Sequence, residues 1–251
     1  MQFLHYVWLY LWVAPHTLLA VIAVVMLRKG LHKRFPIFFA YLVFEFLQFC
    51  FFFAWHFRAP SPVLYMQADE LGRAGSIAFR FGILQEIFEA SLTPAVQLRR
   101  SMAPFLNWAT GFFLVLSLLF VGVLDYKILG VWGLRTYFTI ESLNAAQCGL
   151  IALIFLWYQF LGLKMPPFVF GITMGFGLIT STEPFLQALK ASMASQFSRG
   201  LDFPQMGIYH ACVLFWLYYA LVREQPALGD KGTAIPQWIE QGAKVGRIVQ
   251  L

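Results

Sequence analysis

Apolar residues run along this chain in seven stretches, parted by short polar or basic breaks. Most are near the roughly 20 residues that a membrane-spanning helix needs. The first covers Tyr6 to Leu27 and ends in the basic cluster Arg28-Lys29-Gly30-Leu31-His32-Lys33-Arg34. The second runs from Pro36 to Phe57, with Pro36 suited to a first helical turn. After a polar, proline-bearing loop from Arg58 to Ala74, the third takes in Ser76 to Leu98, with Pro94 as a kink or stop. The fourth spans Pro104 to Leu124 and the fifth Leu134 to Leu161. Lys164-Met165-Pro166-Pro167 then breaks the chain before the sixth, Phe168 to Leu189, and a polar loop leads to the seventh, Pro204 to Val222. A lone strand in lipid would leave its backbone donors and acceptors unsatisfied, so each stretch reads as a helix. The pattern predicts an all-α membrane protein: a seven-transmembrane-helix bundle over residues 1–223, followed by a polar tail, 224–251. The tail is either disordered or a short helix lying on the membrane, with Trp238, Ile239, Val245, Ile248 and Val249 set among Lys244 and Arg247.

Composition changes this picture little. Of 251 residues 60% are hydrophobic and 12% charged, half the charge of an ordinary soluble domain, about 25%. That leaves no room for a separate soluble catalytic domain. The formal charge of +6 does not point to nucleic acid, because the basic residues flank apolar runs, where topology explains them. Counted on alternate sides, eleven Lys and Arg fall on one face and six on the other. The richer face belongs in the cytoplasm, which puts the N-terminus outside, the C-terminus inside and the protein in the cell membrane. The first run is too long for a signal peptide, and its basic cluster follows it, so it reads as an uncleaved helix. Cys50, Cys148 and Cys212 all fall inside spans without CxxC spacing, which suits packing rather than disulfides or zinc. Trp and Tyr gather near span ends, as interfacial belts do, and no internal repeat is evident.

The chemistry lies in polar residues within the spans. The stretch SIAFRFGILQEIFEASLT carries Arg80, Gln85, Glu86 and Glu89. An ionisable side chain at bilayer depth costs several kcal/mol, so it normally faces a protein interior or a water-filled cavity. At 100° per residue, His5, Trp8, Trp12 and His16 share a stripe of the first helix, and Glu45, Gln48, Phe52 and His56 share one of the second. Gln85 and Glu89 stack with Glu86 beside them, and Glu141, Asn144, Ala145 and Cys148 share a face. Thr173, Gly177, Thr180 and Pro184 form another stripe, with Glu183 near its outer end and solvated, and His210 comes from the last helix. A rise of 1.5 Å per residue puts Glu45, Glu86, His16, Asn144 and Gln147 near the midplane, and Arg80, Glu141 and His210 in the outer half. The expected site is a single polar pocket open to the outside, formed by Glu45, Gln48, Arg80, Glu86, Glu89, Glu141, Asn144 and His210. The glycine stripes, Gly171 and Gly175 among them, are expected to permit close helix contact.

Three functional readings follow. The first is a receptor-like or transporter-like bundle binding a small polar or cationic ligand, with Glu45 and Glu86 as its sensitive positions. The second is an intramembrane metal-dependent lipid hydrolase with His16, His210 and Glu86 as ligands, although HxxxH, HExxH and GxSxG are all missing from the sequence. The third is a non-catalytic subunit binding haem or quinone through His16 and His210. The last span, PQMGIYHACVLFWLYYALV, has no lysine, which excludes the retinal attachment of a microbial rhodopsin. No metal site is expected, and the sequence specifies no cofactor. The expected partners are the lipid bilayer, a small-molecule ligand and a protein at the cytoplasmic tail, with no nucleic acid.

Overall fold

The computed structural model describes residues 2–56, 62–91, 108–112, 115, 132–161, 165–192 and 199–222. Within them lie six long helices: α1 (Gln2–Lys29), α2 (Pro36–His56), α3 (Pro62–Ser91), α4 (Trp132–Leu161), α5 (Pro167–Ser192) and α6 (Asp202–Leu221). Short 3-10 turns, Leu31–Lys33 and Arg199–Leu201, precede α2 and α6. Among the described residues there is no strand. Four helical segments are long and apolar enough to cross a membrane, namely Leu4–Lys29, Pro36–Trp55, Ser142–Phe160 and Pro167–Lys190. These mark the chain as a membrane protein.

Five of the expected helices begin and end within four residues of where the apolar pattern puts them. The third does not. Its helix starts at Pro62, so most of the expected loop from Arg58 to Ala74 is helical. Proline fits a first turn, and the Asp69–Arg73 pair, 3.2 Å apart, spans one helical turn. Polarity there reflects an exposed helix surface and not a break in the helix. The expected fourth span, Pro104 to Leu124, falls almost entirely outside the described residues, as do the tail, 224–251, and residues 92–98 of the third.

Each helix packs on its neighbours in the chain, α6 returns to pack on α1, and α3 also reaches α5 across the middle. The result is a closed ring. Gly30, at φ 71°, takes the left-handed conformation that ends α1 and turns the chain into α2. At this basic end the Lys29 ammonium donates to the carbonyls of Ala220 and Leu221, at 2.6 and 2.8 Å. Those carbonyls belong to the last turn of α6, where intrahelical partners run out and a cation is favoured. Lys29 therefore fastens the first helix to the last.

The same half of the ring is filled by aromatic rings. Phe35, Phe38, Tyr41, Phe168, Phe176 and Trp216 are all buried. Their contacts include Phe38 edge-on to Trp216 at 5.6 Å and Phe176 against Trp216 at 4.8 Å, the tilted arrangements that ring quadrupoles prefer. Trp216 fits because Gly175 of α5 presents bare backbone to it; a Cβ there would collide with the indole nitrogen. A Cβ on Gly177 would meet only Ile151, at an ordinary 3.4 Å. Glycine to alanine ordinarily gains about 0.5–1 kcal/mol within a helix. We expect Gly177→Ala to be neutral or stabilising and Gly175→Ala to lose about 1–3 kcal/mol through overpacking, read as thermal midpoints in detergent.

Candidate functional site

The other half of the ring is polar. One helical turn beyond Tyr41, α2 presents Glu45 and then Gln48. Here the interior opens into a partly open cavity of about 170 Å³, lined by His16, Glu45, Gln48, Arg73, Ser76, Ile77, Arg80, Ile140, Asn144, Glu183, Gln205 and Tyr209. All six helices contribute.

Its centre is a buried ion pair. Arg80 of α3, only 8% exposed, donates to the Glu183 carboxylate of α5 at 3.1 Å. Asn144 of α4 ties the two together: its amide nitrogen donates to the same carboxylate oxygen at 3.1 Å, and its carbonyl accepts from Arg80 at 3.5 Å. A guanidinium cannot shed its charge, so burial without such a partner would be prohibitive. Gln147, one turn further along α4, donates to the backbone carbonyl of Ile77 at 2.9 Å and fixes α4 against α3.

Beside this triad, the Ser76 hydroxyl donates a short hydrogen bond to Glu45. His16 donates from Nδ1 to the carbonyl of Trp12 at 2.8 Å. A carbonyl can only accept, so Nδ1 carries the proton and Nε2 of the neutral ring is an acceptor. The imidazole lies flat on Phe49, with centroids 4.4 Å apart and planes within 12°. Gln48 Oε1, the Tyr209 hydroxyl and Arg80 Nε are buried without hydrogen-bond partners. Buried polar groups are normally satisfied, and here a cavity adjoins all three.

Of the residues expected at a common pocket, Glu45, Gln48, Arg80 and Asn144 line this cavity. Glu86 does not. Its two carboxylate oxygens accept from the backbone nitrogens of Ile37 and Phe38, at 2.9 Å each, at the start of α2. The early start of α3 explains this, because it carries Glu86 from the expected midplane to the basic end of the ring. Glu89, one turn nearer the end of α3, is exposed and likewise apart from the cavity. His210 faces the Tyr10 hydroxyl at 3.3 Å and is not among the lining residues. Glu141 is helical, but its side chain lies outside the described residues. Glu183, expected near an interface and solvated, instead belongs to the central ion pair. Sequence reasoning also passed over Ser76 and Tyr209. Ser76 is one turn from Arg80 on the same face, so the helical period alone could have found it.

Among the described residues no group of three or more His, Cys, Asp or Glu could hold a metal ion. The particular set His16, His210 and Glu86 is not assembled, since α2 amides occupy Glu86. Comparison of the chain with protein-family models, with curated proteins and with solved structures gives no match in any of the three.

Proposed function

We propose that this is a seven-transmembrane-helix protein of the cell membrane, with the N-terminus outside and the C-terminus cytoplasmic, that binds a small polar or cationic ligand in the cavity at the outer end of its helix ring. The observation that carries this reading is the convergence of Glu45, Arg80, Asn144 and Glu183, from four helices, on one polar space inside an otherwise apolar bundle. Charge at that depth is tolerated where it serves a ligand or ion path. A volume near 170 Å³ is close to the roughly 150 Å³ that accommodates benzene, which limits the ligand to about six non-hydrogen atoms.

Helix direction supports the seventh crossing. Contacts of Tyr10 with His210 and Lys29 with Ala220 run α1 and α6 the same way. A chain whose first and last spans are parallel crosses an odd number of times, and six long helices are described. Residues 57–61, 162–166 and 193–198 are too few to cross about 30 Å of hydrocarbon at about 3.3 Å each. The sequence offers the apolar run Pro104 to Leu124 as the candidate for the remaining crossing.

Access from outside is tested by cysteine labelling in a chain whose three native cysteines are alanine. Ile140→Cys, on the cavity wall, is expected to react with a membrane-impermeant methanethiosulfonate cation added to intact cells. Leu178→Cys, exposed on the outer surface of α5, is expected to stay unlabelled in lipid. An unreactive Ile140→Cys, or equal labelling of both, would overturn the reading.

A further inference from the structure

We infer that the cavity takes a small primary ammonium ion, with Glu45 as its counter-charge; this rests on the reading of the cavity as a ligand site. The balance of charge in the lining sets the sign. Arg80 is engaged by Glu183 at 3.1 Å, and Arg73, towards the surface, by Asp69 of its own helix at 3.2 Å. Glu45 has the Ser76 hydroxyl as a donor and, among the described residues, no cation in ion-pair contact. Among the described residues, with Arg73 assigned to Asp69 and Arg80 to Glu183, Glu45 is thus the lining carboxylate left without a paired cation, and a bound monocation offsets it at a depth where an uncompensated charge is costly.

The free hydrogen-bonding groups agree with that sign. Gln48 Oε1 is buried without a donor, Nε2 of a neutral His16 ring is an acceptor because Nδ1 is committed to Trp12, and the Tyr209 hydroxyl has no partner and accepts readily. Together with Glu45 they offer more acceptors than an ammonium has protons, and an ammonium donates three. Arg80 Nε is a buried donor in the lining that lacks a partner and, unlike the Tyr209 hydroxyl, cannot accept, and a hydroxyl on the ligand would satisfy it. A bare alkali ion needs little more than the space of one water, about 30 Å³, so the 170 Å³ cavity fits an organic cation better.

The test is calorimetric titration of the purified full-length protein with methylammonium and ethanolammonium, at an ionic strength held with tetramethylammonium, which has no N–H to donate. Both amines are expected to bind, ethanolammonium the more tightly. Glu45→Gln is expected to weaken them at least tenfold, while Glu89→Gln, outside the cavity, stays within twofold. Amine protection of Ile140→Cys against labelling gives a second readout that leaves Glu45 intact. Binding of sodium, acetate or zwitterionic glycine in place of the amines would overturn the inference, as would amine binding indifferent to Glu45→Gln. Labelling of Ile140→Cys without amine binding or protection would sink the ammonium ion and leave the cavity reading standing. Failure of Ile140→Cys to label would remove the cavity reading itself.

Discussion

Glu183→Met is expected to be the most damaging single substitution at the cavity, lowering stability by about 3–5 kcal/mol, the usual loss when one member of a buried pair is removed. The two partners are not equivalent. Without Glu183, the Arg80 guanidinium stays buried, cannot deprotonate and keeps the weak 3.5 Å contact to Asn144, with Glu45 acting on it across the cavity. Without Arg80, the Glu183 carboxylate still accepts from Asn144, its side chain is 26% exposed, and it can take up a proton. Arg80→Met should therefore be the milder change. The double variant Arg80→Met/Glu183→Met leaves no unpaired charge and is expected to recover most of the loss, since apolar replacement of a whole buried pair is often neutral. Unfolding of all four proteins in mixed micelles forms a double-mutant cycle. A Glu183→Met variant within about 1 kcal/mol of the parent would show that the pair contributes little.

That Glu183 pairs with Arg80 and Glu86 lies elsewhere shows where the sequence was legible and where it was not. The apolar runs placed α1, α2, α4, α5 and α6 closely, because hydrophobic length is a direct physical requirement of the bilayer. The grouping of Glu45, Gln48, Arg80 and Asn144 was also readable, because depth put Glu45 and Asn144 near the midplane and Arg80 in the adjoining outer half, and Gln48 shares the Glu45 stripe. Depth failed for α3. Its first turns carry exposed polar residues such as Gln67 and Arg73, and hydropathy cannot tell an exposed helical extension from a loop. Measuring depth from Ser76 instead of Pro62 put Glu86 near the midplane. For Glu183 the helical period held the clue: it follows Thr180 by three residues, on the stripe that also bears the buried Phe176. Distance from the span end suggested water, but a span end that borders a cavity need not face bulk solvent. Which helices become neighbours, and hence which carboxylate meets Arg80, depends on ring closure through contacts such as Lys29 with α6, and no local pattern encodes those.

Glu86→Ala is expected to destabilise the protein by about 3 kcal/mol without changing the cavity. The first helical residues of α2 have amides with no intrahelical partner. Pro36 has no N–H to satisfy, but Ile37 and Phe38 do. A helix usually meets this need from its own N-cap side chain, an Asp, Asn, Ser or Thr. Here the preceding residue is Phe35, fully buried and packed edge-on to Phe168 at 5.1 Å, so the cap position is already committed to the aromatic plug. The cap comes instead from α3, whose Glu86 accepts from both amides and sets a negative charge at the positive end of the α2 dipole. Hydrogen bonds to charged groups contribute about 1.5–3 kcal/mol each. Partial access of water at this end limits the total for two to about 3 kcal/mol. Glu86→Gln keeps one acceptor and should lose roughly half as much, while Glu89→Ala, which removes neither cap bond to α2, should lose less than Glu86→Ala. Thermal midpoints give the order, and Ile140→Cys labelling in the Glu86→Ala background should match that in the parent. A labelling change larger than the loss of folded protein would connect Glu86 to the cavity after all, and equal midpoints for Glu86→Ala and Glu89→Ala would remove its capping role.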